Sequence, residues 1–158
     1  MDKVRWRLTV NGIVQGVGFR PFIYALARDI GLVGSVYNSS DGVKVEIQGS
    51  FEQLDQFENR LRSEAPPLST IISVDIESIP VNSESEFNIV ASHENVSVST
   101  LISPDVALCE DCKQELFEVT NRRHRYPFIN CTNCGPRYSI VTAVPYDRPL
   151  TTMVDFPL

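Results

Sequence analysis

All four cysteines of this 158-residue chain stand in its second half, as Cys109-Glu110-Asp111-Cys112 and Cys131-Thr132-Asn133-Cys134. A separation of two residues lets both sulfurs of a pair turn back onto one metal ion, and two such pairs complete a tetrahedral set of thiolates. Gly135 after the second pair and Asn133 inside it suit the tight turn of such a knuckle. A shell made of Cys109, Cys112, Cys131 and Cys134 leaves no position for water, so the ion expected is a structural zinc. Few large apolar residues surround these cysteines, and the metal would supply folding energy that a small core cannot. A redox dithiol and buried free thiols are the competing readings; two matched pairs argue against both. The chain is thereby divided into residues 105–158, a zinc-ribbon-like module, and residues 1–91, which must fold on hydrophobic packing.

Composition places the whole in the globular class, with 42% hydrophobic and 22% charged residues. A net charge of −6 argues against binding to nucleic acid or to an anionic membrane surface. No apolar run approaches a membrane span, and Met1-Asp2-Lys3 leads into alternating arginines and hydrophobic residues, unlike a signal peptide. The chain is expected in the cytoplasm, where paired cysteines favour metal over disulfide.

The first ninety residues carry the periodicities of an α+β fold. Trp6, Leu8 and Val10 alternate with Arg5, Arg7 and Thr9, the pattern of a half-buried strand. Pro21 suits the first turn of a helix whose apolar positions are Phe22, Ile23, Leu26, Ala27 and Ile30, ending at Gly31. Val33–Asn38 and Val43–Gln48 read as strands joined through Asp41-Gly42, a hairpin signal. Ser50 and Gln53 form a capping box for a second helix with the stripe Phe51, Leu54, Phe57 and Leu61, closed by Pro66 and Pro67. Ile72, Val74 and Ile76 alternate with Ser73, Asp75 and Glu77 as a fourth strand, and Phe87–Val90 makes a short fifth. The order β-α-β-β-α-β predicts a ferredoxin-like split βαβ sandwich, with two helices on one face of the sheet.

Between the first strand and helix lies Gly12-Ile13-Val14-Gln15-Gly16-Val17-Gly18-Phe19-Arg20. Three glycines let the backbone turn its N–H groups toward a ligand, and an arginine stands where the helix begins. Amides, a helix N-terminus and a fixed cation describe a pocket for a phosphate-sized anion. It is not a nucleotide P-loop, because no Gly-Lys-Ser/Thr follows. Each feature taken singly has a structural reading: the glycines as a turn, Arg20 as a surface residue, Asn38-Ser39-Ser40-Asp41-Gly42 as hairpin chemistry. The constellation favours the anion site.

Gly12-x-Val14-Gln15-Gly16-Val17-x-Phe19-Arg20, with Val36-Tyr37-Asn38 and Asp41-Gly42-Val43, resembles the acylphosphatase family over about residues 4–91. The resemblance implies that the loop Gln15, Gly16, Val17, Gly18, Phe19 and Arg20 binds the phosphoryl group and that Asn38 orients the attacking water. Arg20 and Asn38 are then the catalytic pair. Such hydrolysis needs charge stabilisation at the phosphoryl oxygens and, with a carboxylate leaving group, neither a strong general acid nor a metal.

Residues 92–104 are serine-rich and read as a linker, in which His93 is a solvated side chain. Arg122, Arg123, His124 and Arg125 form a basic cluster that fits a solvated loop or protein contact better than a nucleic-acid site; His124 as a replacement metal ligand is a minor alternative. Arg125-Tyr126-Pro127-Phe128-Ile129-Asn130-Cys131 through Arg137-Tyr138, with Pro145-Tyr146-Asp147-Arg148-Pro149, resembles the zinc-finger region of the HypF family, carbamoyltransferases of NiFe-hydrogenase maturation. That resemblance implies carbamoyl phosphate as the acyl phosphate, cleaved to carbamate and phosphate. Its implied partners are the remaining HypF domains and other hydrogenase maturation proteins. Family members continue beyond Leu158 into a second pair of cysteine motifs and two further domains, so the chain is expected to be a fragment or split gene product with a truncated zinc module. Full carbamoyl transfer is not expected of it alone. A different class of function remains open: a non-catalytic module that holds a phosphate-bearing ligand and docks proteins through its zinc ribbon.

Overall fold

The computed structural model describes residues 3–91, 101, 105–131, 133–135, 140–143 and 148–155. The expected linker, apart from Leu101, lies outside the described residues, as do His93, Thr132, Arg137, Tyr138 and Pro145–Asp147.

Five strands and two helices build the N-terminal part: β1 (Val4–Ile13), α1 (Phe19–Ile30), β2 (Val33–Ser39), β3 (Gly42–Gly49), α2 (Phe51–Ser63), β4 (Thr70–Ser78) and β5 (Phe87–Ile89). The sheet runs β4-β1-β3-β2-β5. β1 pairs antiparallel with both β3 and β4, β2 pairs antiparallel with β3, and β5 adds in parallel to β2 at the edge. This is the expected split βαβ topology with a short fifth strand appended.

Strand periodicity decides the two faces. Leu8 and Val10 of β1, Val36 of β2, and Val43, Val45 and Ile47 of β3 are fully buried. They pack against Phe19, Ile23, Leu26 and Ala27 of α1 and Leu54, Phe57 and Leu61 of α2. The Ser50–Gln53 capping box forms as the sequence predicts: the Ser50 hydroxyl accepts from the Gln53 amide, and the Gln53 side chain accepts from the Ser50 amide. On the opposite face Arg5, Arg7, Lys44 and Glu46 form a polar ladder. Arg5 reaches Glu46 at 2.6 Å and Glu84 at 3.1 Å, and Arg7 reaches Glu46 at 2.9 Å. Gln48 on this face holds the 79–86 segment by accepting from the Asn82 amide and donating to its carbonyl.

Several apolar residues of the sequence pattern fall outside the core, Ile76 and Ile89 among them. Phe51 is 57% exposed: as the first residue of α2 it packs edge-to-face with Trp6 at the rim, with ring centroids 5.9 Å apart. Ile72 is 67% exposed because the β1–β4 register shifts at Asn11/Gly12, which takes it out of phase with Val74. Ile71 packs on the core instead.

The second half contains α3 (Glu110–Phe117), a 3-10 turn at Arg148–Leu150 and an isolated antiparallel bridge between Val141 and Thr151. Its small hydrophobic cluster is built on Cys112, Cys134 and Ile129, with Val106, Leu116 and Tyr126 around them. Leu68, in the loop after α2, packs against both this cluster and the larger core. No described helix is long and apolar enough to cross a membrane.

Candidate active site and cysteine cluster

The loop joining β1 to α1 is shaped by two left-handed glycines. Gly16 has φ 71° and Gly18 has φ 75°, conformations open to glycine and strained for most other residues. Gly18 is the N-cap of α1 and has no side chain to satisfy the first-turn amides. The N–H groups of Val17, Gly18 and Phe19 donate to nothing among the described residues. An untapped set of amides at a helix N-terminus carries partial positive charge and favours an anion. Arg20, the second residue of α1, adds a guanidinium to the same turn. The helix starts two residues earlier than Pro21, which therefore sits inside its first turn where a missing N–H costs nothing.

Gln15 uses its side chain to hold the loop in place. It is 2% exposed, and its side-chain amide donates to the carbonyls of Ser39 at 2.7 Å and Gly42 at 2.8 Å. These two bonds tie the glycine loop to the β2–β3 hairpin. Sequence reasoning placed Gln15 in the phosphate-binding loop but could not see that its side chain is spent on a hairpin more than twenty residues away.

That hairpin carries Asn38. Its register partner is Val43, and both belong to the helix-covered face of the sheet that Val36 and Val45 also line. Asn38 is 1% exposed, and neither its amide nitrogen nor its amide oxygen has a hydrogen-bond partner among the described residues. A buried amide left without partners costs about 1–3 kcal/mol, so it is not a packing choice. It offers a donor and an acceptor that no described neighbour uses. Ser39 and Ser40 beside it are equally buried.

Asp41 braces the same turn. Its carboxylate meets the Lys44 ammonium at 2.7 Å. Burial acts to raise its pKa, but the bonds from Lys44 and Ser39 outweigh burial and leave the carboxyl below its ordinary value.

The four cysteine sulfurs converge as the spacing predicts, all lying within 4.8 Å of one another. Cys109 and Cys131 are 3.5 Å apart, Cys112 and Cys134 3.8 Å, and Cys131 and Cys134 3.9 Å. Zinc–sulfur bonds of about 2.3 Å at tetrahedral angles place sulfurs about 3.8 Å apart, so the set fits one zinc ion. Different backbone devices present the two pairs. Cys109 is the N-cap of α3 and Cys112 lies in its first turn, where the helix dipole favours thiolate. Cys131 and Cys134 sit on a turn closed by the Gly135 amide donating to the Cys131 carbonyl at 2.7 Å, with the Cys131 amide 3.5 Å from the Cys134 sulfur. Burial pushes the Cys112 and Cys131 thiols up from their ordinary value. His124 is not among the converging groups. In the basic cluster, Arg123 donates to the Asn130 carbonyl at 2.8 Å and pairs with Glu115 of α3. It braces the two cysteine pairs against each other.

Comparison with known proteins agrees with both halves. The acylphosphatase family model matches residues 6–89 and the HypF finger model residues 108–141. A curated relative, carbamoyltransferase HypF2 of Cupriavidus necator, is 48% identical over 98% of this chain but only 19% of its own length. An acylphosphatase of Synechococcus is 43% identical over 55% of this chain and 97% of its own. The crystal structure of full-length HypF in a phosphate- and nucleotide-bound form superimposes with a TM-score of 0.93 at 42% identity, covering 99% of this chain and 21% of that one. The chain thus spans about a fifth of the length of the carbamoyltransferases it matches. It belongs to the acylphosphatase family over residues 6–89 and corresponds as a whole to the N-terminal part of the HypF carbamoyltransferases.

Proposed function

We propose that this chain hydrolyses acyl phosphates, carbamoyl phosphate first among them, to the free carboxylate or carbamate and inorganic phosphate. The loop amides of Gly16, Val17, Gly18 and Phe19 and the Arg20 guanidinium hold the phosphoryl oxygens. Asn38 accepts a hydrogen bond from the attacking water and donates to a phosphoryl oxygen, which fixes the line of attack. The water oxygen forms the new bond to phosphorus as the bond to the acyl oxygen breaks. The electron pair leaves with the carbamate, and the water proton ends on the phosphate. Charge spread over the phosphoryl oxygens in the transition state is met by dipoles and a cation already in place. The leaving group is a weak base, so no general acid is invoked.

The observation that carries this reading is Asn38, a buried amide whose two polar atoms have no partner among the described residues, on a hairpin clamped to the anion loop by Gln15. The HypF kinship supports carbamoyl phosphate as the acyl phosphate, and the hydrolysis as a first step of a longer carbamoyl transfer by the whole protein. In that context Cys109, Cys112, Cys131 and Cys134 would hold a structural zinc, whose four thiolate ligands would leave no vacant position and which would supply folding energy, not chemistry.

Phosphate release from carbamoyl phosphate and acetyl phosphate by the purified chain tests the proposal. Arg20→Ala and Asn38→Ala are expected to lose turnover by about 10² or more. The second reading, a module that binds a phosphate-bearing ligand without cleaving it, rests on the same unsatisfied amides. It is selected if inorganic phosphate binds but no substrate is turned over above background.

A further inference from the structure

The two halves of the molecule meet at the anion loop. Gly135, the residue after the last cysteine, lies with its backbone against the backbone of Gly16. A Cβ placed on Gly135 would overlap the Gly16 carbonyl and stand 3.3 Å from the Gly16 Cα. Gly135 is itself left-handed at φ 62° and closes the Cys131–Cys134 turn through its amide. One residue therefore shapes the metal knuckle and abuts the phosphate loop. Leu68, packed against both hydrophobic clusters, provides a second point of attachment between the two units.

We infer that the second cysteine knuckle is a positioning wall for the anion loop, so that metal occupancy of the four-cysteine set and phosphate binding at Gly16–Arg20 are thermodynamically coupled. Gly135 is a positioning residue that acts through Gly16. The inference rests on the reading of that loop as the phosphoryl site. The physical reasoning is short. Gly16 holds a left-handed conformation in the loop, and the surface behind its carbonyl is the backbone of a turn whose two sulfurs a bound metal would anchor. When the metal leaves, the knuckle loses its organising centre and the loop loses its backing. By reciprocity, phosphate bound in the loop must tighten the metal by the same factor.

The test uses the full chain and inorganic phosphate as the probe, with affinities from calorimetric titration. The zinc-loaded chain, the chelator-stripped chain, and the zinc-loaded variants Gly135→Ala, Gly135→Asn and Arg20→Ala are compared. Asn tolerates a positive φ, so it isolates the clash with Gly16 from the strain that Ala adds. The fluorescence of Trp6, the only tryptophan, reports that the sandwich is folded in every sample. Stripping zinc and substituting Gly135 are each expected to weaken phosphate by about tenfold, within the usual range of coupling between sites. Zinc affinity, from competition with a chelator, is expected to rise by the same factor in saturating phosphate. If stripping and both Gly135 variants leave phosphate affinity within about twofold while Arg20→Ala abolishes it, the coupling is overturned and the anion site stands. If the zinc-loaded chain binds no phosphate, or Arg20→Ala binds it equally, the anion-site reading fails and the inference with it. Should the Gly135 variants not retain zinc, the stripped chain and the reciprocal zinc titration decide between these outcomes.

Discussion

The Gln15 side-chain amide donates to the Ser39 carbonyl at 2.7 Å, and that bond fixes the distance between the glycine loop and the strand end bearing Asn38. A second bond from the same nitrogen reaches Gly42, across the hairpin turn. The candidate site is thus assembled from two backbone segments far apart in sequence by one buried amide, and its precision depends on that amide.

Gln15→Ala is expected to take a donor from the Ser39 and Gly42 carbonyls and to destabilise the chain by about 2 kcal/mol. The larger effect is functional: a loop and hairpin that drift by about 1 Å lose about 10² in turnover. Chemical denaturation and phosphate release on the same sample check both. Gln15→Glu, of similar shape but unable to donate when ionised, is expected to behave like Gln15→Ala, whereas wild-type activity in either variant would show that the clamp is dispensable.

Asn38 is expected to show the reverse balance between stability and activity. Its amide has no partner among the described residues, so Asn38→Leu, of the same branched shape though larger, removes a desolvation cost, and the chain should be at least as stable as wild type, within about 1 kcal/mol. Hydrolysis should fall by about 10² or more in the same variant, because the water loses its positioning group. A loss of stability in Asn38→Leu, read from the urea midpoint, would mean that the amide has a structural bond in solution and is not held for a substrate.

Much of this was legible before the structure, and the remainder was not for physical reasons. The alternation of Trp6, Leu8 and Val10 and the helical spacing of Ile23, Leu26 and Ala27 are local signals, and the elements they predict form as expected. The capping box at Ser50 and Gln53 and the convergence of the four cysteines are likewise short-range patterns that the fold obeys. The phase of an element against its neighbours is not local. The register shift at Asn11/Gly12 puts Ile72 outside, and the helix start leaves Phe51 at the rim beside Trp6. The glycine loop and Asn38 could be found as a pattern, but the use of Gln15 as a clamp, Arg123 as a brace and Gly135 as a wall for Gly16 arises from contacts across the fold. No spacing rule carries such contacts.

The hairpin under Asn38 should respond to acid through Asp41. Burial works to raise this carboxyl, but the Lys44 and Ser39 bonds prevail, and its pKa lies below the ordinary 3.8. A carboxylate whose folded pKa is depressed stabilises the fold above its unfolded pKa, and the contribution is lost as pH falls through the folded value. Stability measured from pH 6 down to pH 2 should therefore fall through the range below about 4 in the wild-type chain. Asp41→Asn should flatten part of that fall, with a difference at neutral pH on the order of 1 kcal/mol or less, since the pair is partly solvated. Identical acid profiles for the two proteins would remove Asp41 as a contributor.

Arg123 offers a test of the second module that does not touch a metal ligand. Its guanidinium joins Glu115 of α3, which carries Cys112 in its first turn, to the Asn130 carbonyl immediately before Cys131. Removing it should loosen one cysteine pair relative to the other while leaving all four sulfurs in the chain. Arg123→Ala is therefore expected to bind one zinc per chain, as is expected of wild type, but with affinity lower by roughly tenfold, the scale seen when groups that orient metal ligands are lost. Cys112→Ser, which removes a ligand, should lose far more. Competition with a chromogenic chelator measures both, and Trp6 fluorescence should stay unchanged throughout, because the sandwich has its own core. An Arg123→Ala chain that holds zinc as tightly as wild type would show that the brace is incidental and that the thiolates alone align the two knuckles.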